Sequence, residues 1–188
     1  MKVATVPNLI CVLRIALTVP IVMLLVDGRY GITLVLFAIA AVSDGLDGFL
    51  AKSFGWTSKL GKLLDPLADK LLLVSVFITL ACIDLVPDWL AAVAVSRDLV
   101  IGIGAGVYKW LFGPVEGQPT WPSKLNTLLQ LAYIIAVVSR AAFPVFPEWA
   151  VISLGAMVLV TTVVSGLDYI AIYVRKAVAV SSGRRQAG

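Results

Sequence analysis

The chain has 188 residues, 60% of them hydrophobic, and a mean hydropathy of +1.00, which excludes an ordinary soluble domain and marks an integral membrane protein. A net charge of +4 and a pI near 9.2 do not call for nucleic acid as a partner, because membrane proteins gather Lys and Arg on their cytoplasmic side. With no His in the chain, imidazole is unavailable as a metal ligand or a base.

The first segment, MKVATVPNLICVLRIALTVPIVMLLV, has one early Lys and then a long apolar run. It contains Arg14 and no small-residue cleavage site, so it reads as a retained span rather than a signal peptide. No Arg-rich, Ser-rich presequence precedes it, an argument for a bacterial plasma (inner) membrane over organelle import. At about 20 residues per span, the pattern predicts six spans: 8 to 26, 30 to 50, 66 to 86, 88 to 111, 124 to 142 and 149 to 174. The expected architecture is an all-α membrane protein, a bundle of six transmembrane helices in one domain over residues 1–180, with a polar, disordered tail at 181–188. Cys11 and Cys82 fall in apolar segments and read as small core residues. Trp89, Trp121 and Trp149 at span ends read as interface anchors.

With the N-terminus inside, the cytoplasmic segments hold Lys2, Lys52, Lys59, Lys62, Lys109, Lys124, Arg175, Lys176, Arg184 and Arg185, against Arg29 and Arg140 in the outer turns. The positive-inside rule then puts both termini in the cytoplasm.

The stretch SDGLDGFLAKSFGWTSKLGKLLDPLADK, from Ser43 to Lys70, holds four of the nine aspartates: Asp44, Asp47, Asp65 and Asp69. Three and four residues apart, each pair shares one face if it lies on a helix. With the pairs at the end of the second span and the start of the third, all four fall on the cytoplasmic side. Four crowded carboxylates repel one another, and two divalent cations would balance their charge. All-oxygen donors favour hard ions, Mg2+ or Mn2+. Gly48 leaves the backbone open to a bulky ligand, and Lys52 could reach a phosphate. Pro66, directly after Asp65, suits the first turn of a helix. Together these residues describe a site for phosphoryl chemistry, with two metals on the reacting oxygens; a solvated acidic loop is the plainer alternative.

Charges inside the spans cost about 2.5 to 3.5 kcal/mol each, so Arg14, Arg97, Asp98 and Asp168 need a reason. Arg97 either pairs with Asp98 or Asp168 and fixes helix packing, or joins Lys124 and Asn126 in a basic pocket for the acceptor's phosphate. Asn8 and Arg14 either cap and snorkel at the first span or contact substrate.

The pattern Asp44-x-x-Asp47-Gly48-x-x-Ala51-Lys52, eight residues, Gly61-x-x-x-Asp65-x-x-x-Asp69 resembles the signature of the CDP-alcohol phosphotransferases. These membrane enzymes join two alcohols through a phosphate and release CMP. Lys52 stands where the family usually has Arg, keeping the charge but losing the bidentate fork. The resemblance implies that Asp44, Asp47 and Asp65 bind one metal and Asp44, Asp65 and Asp69 a second. It further implies that Asn8, Gly48, Lys52, Ser58 and Gly61 bind CDP-diacylglycerol, and that Asp69 is the general base toward the acceptor hydroxyl.

Within the family, PNLICVLRIAL, LDPLADKLLL, SRDLVIGIGAGVY and PSKLNTLLQL look most like the cardiolipin synthase branch. That branch transfers a phosphatidyl group from CDP-diacylglycerol to phosphatidylglycerol, and its members are homodimers. The alternative branch, the phosphatidylglycerol-phosphate synthases, takes glycerol 3-phosphate. A dianionic acceptor calls for a stronger basic pocket than Arg97 and Lys124 supply, which favours the lipid acceptor. An ion-coupled transporter also carries intramembrane carboxylates, but on broken helices near the bilayer midplane, whereas here they gather at one face.

Overall fold

The computed structural model describes residues 5–40, 61–112, 120–143 and 147–186, and among these all regular structure is helical. The helices are α1 (Thr5–Val26), α2 (Tyr30–Ala40), α3 (Gly61–Cys82), α4 (Asp88–Phe112), α5 (Trp121–Ala142) and α6 (Glu148–Gln186). Among the described residues three segments are long and apolar enough to cross a membrane: Asp88–Val107, Trp121–Ala142 and Glu148–Ile172. At 1.5 Å per residue the 25-residue α4 is about 37 Å long, enough for a hydrocarbon layer of about 30 Å.

Two expected boundaries move. α3 begins at Gly61, a turn ahead of the expected start, so Pro66 is its sixth residue rather than its opening, and has no N–H to offer the Lys62 carbonyl. Membrane helices tolerate such a proline, as α1 does at Pro20. The consequence is that Asp65 lies inside the helix, one turn before Asp69. At the other end, α6 runs on to Gln186, so residues 181–186 are helical instead of a disordered tail.

The chain folds as two compact units, Met1–Asp88 with Ile134–Val151, and Trp89–Tyr133 with Ile152–Gly188. In the first, α1 packs along α3. Arg14, Thr18, Ile21 and Leu25 are all buried, at 5% exposure or less. Their spacing of four, three and four makes one continuous seam along α1. Its counterpart on α3 is Ala68, Leu72, Val76 and Leu80, with Leu73 and Phe77 beside them. In the second unit Leu90, Ala91 and Ala94 of α4 and Val158 of α6 are buried, as are polar Arg97, Asn126, Gln130, Thr162 and Ser165. Met23, Val35, Ile103, Leu128, Ile152 and Leu167 point outward, as residues facing hydrocarbon do. Cys82 is free and exposed, not a core residue: it closes α3 beyond the last buried leucine of the seam. Trp89, Trp121 and Trp149 are exposed at the starts of α4, α5 and α6.

The turns after α1 and α3 share one design. Gly28, at φ 71°, lets its N–H reach the Leu25 carbonyl at 3.1 Å and the Arg29 N–H reach Leu24 at 2.8 Å, a Schellman cap. After α3 the same bonds run from Asp84 to Ala81 and from Leu85 to Leu80, both 2.9 Å, with Asp84 at φ 58°. A side chain at such a φ costs about 1–2 kcal/mol, and a Cβ on Gly28 meets nothing within 4 Å, so the cost there is conformational alone. Gly28→Ala is therefore expected to lower stability by about 1 kcal/mol and Asp84→Gly to raise it by a similar or smaller amount. Thermal melts of the purified protein in one detergent check both signs.

Candidate active site

The first unit carries Asp65 and Asp69 on consecutive turns of α3. Arg14, 2% exposed on its seam, donates from Nη1 to Asp69 Oδ1, whose side chain is 41% exposed. Thr18 Oγ1 bonds the Arg14 carbonyl at 3.0 Å, holding this turn of α1 just before Pro20 interrupts the backbone ladder. A buried cation thus meets a carboxylate that keeps an open face. Snorkelling, one of the readings of Arg14, does not fit a side chain so enclosed.

Of the other expected site residues, Asp44, Asp47, Gly48, Lys52 and Ser58 lie outside the described residues, and Asn8, Gly61 and Asp65 are described by their helices and not by their side chains. Among the described residues no three His, Cys, Asp or Glu gather as a metal site; only Asp69 of the expected four ligands has its side chain among them. The donor chemistry fits a hard divalent cation nonetheless: the described carboxylate, Asp69, is partly open, and aspartates offer oxygen donors alone.

The second unit holds the candidates for the acceptor pocket. Arg97, 6% exposed, donates from Nη1 to Asp98 Oδ1 at 2.6 Å, from Nη2 to Ser123 Oγ at 2.8 Å, and from Nη2 to Ser165 Oγ. The Tyr169 ring centroid lies 5.9 Å from its Cζ, within cation–π range. The pairing with Asp98, one of the two readings of Arg97, is therefore present. Asn126 is fully buried and accepts at Oδ1 from Thr161 and Thr162, at 2.9 and 2.8 Å. These bonds tie α5 to α6. Lys124 is exposed. Asn126 Nδ2, Gln130 Oε1 and Arg97 Nε have no hydrogen-bond partner among the described residues, which leaves polar capacity inside this unit.

Sequence reasoning did not single out Ser123, Gln130, Thr161, Thr162 or Ser165. The signal was present as polar residues at helical spacing in apolar spans: 123, 126 and 130 on α5, and 161, 162 and 165 on α6.

A family model described as CDP-alcohol phosphatidyltransferase matches residues 4–181. The chain belongs to this family. It is 33% identical to "Cardiolipin synthase (CMP-forming)" of Rattus norvegicus, over 96% of this chain and 65% of that protein. It is 32% identical to "CDP-diacylglycerol–glycerol-3-phosphate 3-phosphatidyltransferase 1, chloroplastic" of Oryza sativa subsp. japonica, over 87% of this chain and 55% of that one. With "Probable phosphatidylglycerophosphate synthase" of Mycobacterium tuberculosis it shares 29% identity, over 90% of this chain and 82% of that protein. The chain spans between about half and two thirds of the length of the animal cardiolipin synthases it matches.

Removing one partner from a buried ion pair is far more damaging than removing both. Arg97→Met should destabilise the protein by about 3–5 kcal/mol by removing one partner of the buried Arg97–Asp98 pair, and adding Asp98→Asn should recover part of that loss. Unfolding of the two variants in mixed micelles measures the difference.

Proposed function

We propose that this protein transfers a phosphatidyl group from CDP-diacylglycerol to the hydroxyl of phosphatidylglycerol, giving cardiolipin and CMP. The observation that carries the reading is the run of four aspartates from Asp44 to Asp69 inside the family match, with Asp65 and Asp69 one turn apart in α3 and Asp69 partly open.

Asp44, Asp47 and Asp65 would hold one divalent cation and Asp44, Asp65 and Asp69 a second, Mg2+ or Mn2+, and when bound the pair offsets charge on the reacting phosphates. Asn8, Gly48, Lys52, Ser58 and Gly61 bind the cytidine diphosphate portion, Gly48 by close backbone approach and Lys52 by its charge. Asp69 takes the proton from the acceptor hydroxyl. That oxygen attacks the phosphorus bearing diacylglycerol, a new P–O bond forms, and the bridging P–O bond breaks with its electron pair leaving on CMP. Arg97, Lys124 and Asn126 bind the acceptor's phosphate. Because Asp98 already offsets one charge of Arg97, the pocket suits a monoanionic phosphodiester better than a dianion.

Six spans, an active site and both termini on the cytoplasmic side, a bacterial plasma membrane and a homodimeric assembly complete the proposal. The basic residues gathered in the expected cytoplasmic segments support the orientation. The similarity to the Oryza sativa glycerol-3-phosphate 3-phosphatidyltransferase and the probable phosphatidylglycerophosphate synthase of Mycobacterium tuberculosis supports a second reading, with glycerol 3-phosphate as acceptor.

Purified protein is to be incubated with CDP-diacylglycerol and Mg2+, with phosphatidylglycerol in one reaction and glycerol 3-phosphate in another. Mass spectrometry is expected to find cardiolipin and CMP in the first. Phosphatidylglycerol phosphate in the second alone would move the chain to the other acceptor, and CMP in neither would overturn both. Chelating the metal should stop CMP release, and Asp69→Asn should reduce it by about 10²- to 10⁴-fold.

A further inference from the structure

Arg14 occupies a position that an apolar residue would fill at less cost. It continues the seam of Thr18, Ile21 and Leu25, and a guanidinium enclosed in an apolar helix persists only when it is paired. Its partner, Asp69, is 55 residues away in sequence, yet α1 and α3 bring the two together. The pair is asymmetric: the guanidinium is enclosed and the carboxylate is 41% exposed. A pair serving helix packing alone has no need of an exposed acid. The asymmetry suits a carboxylate that is gripped from behind and works from its front.

We propose that Arg14 is a positioning residue for Asp69. Its Nη1 donates to Oδ1, fixes the plane of the carboxylate and leaves Oδ2 to receive the proton of the acceptor's hydroxyl. The inference rests on the reading of Asp69 as the general base. Three features give the grip its rigidity. The seam of α1 packs on α3, so the guanidinium arrives on a fixed helix. Thr18 ties down the Arg14 carbonyl, and Ala68, fully buried beside Asp69, offers no bulk to hold α1 away. The planar, delocalised guanidinium also sets an orientation that a lysine ammonium, a point charge on a flexible stem, does not.

A group that only orients the base affects the chemical step and not the binding of the nucleotide lipid. Displacing a reacting group by about 1 Å costs about 100-fold in rate. The test uses the full chain in nanodiscs and compares wild type, Arg14→Lys and Arg14→Gln. It reads kcat and KM for CDP-diacylglycerol, calorimetric binding of CDP-diacylglycerol without acceptor, and the melting temperature. Arg14→Gln is expected to lower kcat about 100-fold, with KM and binding of CDP-diacylglycerol changed by less than about threefold. Arg14→Lys should recover part of kcat by restoring the charge without the planar, directional donor.

A kcat per folded molecule within about threefold of wild type, with only the melting temperature lowered, would reduce Arg14 to a packing residue and overturn the inference. So would a raised KM at unchanged kcat, the signature of a direct substrate contact. If Arg14→Gln does not fold, Arg14→Lys carries the same split between kcat and binding. Wild type forming no CMP would overturn the transferase reading itself, whereas wild-type turnover with an indifferent Arg14 would overturn this inference alone.

Discussion

A guanidinium buried in an apolar helix seam must find an anion, and in this protein that requirement joins the first helix to the acidic segment. Arg14 cannot be reached by water at 2% exposure, and Asp69 answers it across the α1–α3 contact. The rest of the first unit is arranged so that this pairing holds. Ile21 and Leu25 continue the α1 face, Leu72, Val76 and Leu80 the α3 face, and caps at Gly28 and Asp84 end the two helices where the seam ends. Asp65 precedes Asp69 by one turn of the same helix.

The second unit solves the same problem with a different set of partners. Arg97 is enclosed and is met by Asp98, two serine hydroxyls and the face of Tyr169, while Asn126 draws in Thr161 and Thr162. In a membrane the hydrophobic effect does little to hold one apolar helix to another, so packing and hydrogen bonds between helices carry the association. The buried polar residues of α4, α5 and α6 supply those bonds. They also leave donors and acceptors unused inside the unit, the polar capacity that binding an acceptor phosphate requires.

Much of this was legible in the chain. Apolar length pointed to the helices among the described residues, and the aspartate spacing with Gly48, Ala51 and Gly61 pointed to a family that the match over residues 4–181 bears out. The i, i+4 spacing of Asp65 and Asp69 asks for one helix through both, and α3 runs through both positions. What local pattern did not give has physical causes. Pro66 reads as a helix start because proline is favoured there, but a membrane helix can absorb the lost bond, and α3 starts at Gly61. The disordered tail was read from polarity, whereas a long helix already formed can propagate into polar residues, as α6 does to Gln186. Arg14 finding Asp69 depends on two helices 55 residues apart in sequence, a contact that no local period encodes.

In the proposed mechanism the four aspartates form one two-metal site, with Asp69 held on the side of Arg14. The most direct measurement is an experimental structure of the protein with Mn2+ and CDP-diacylglycerol, using anomalous scattering to locate the metal. Two Mn2+ peaks among Asp44, Asp47, Asp65 and Asp69, with the Asp69 carboxylate still bonded to Arg14, is the predicted result. Manganese bound elsewhere, or aspartates too far apart to share a pair of ions, would contradict it.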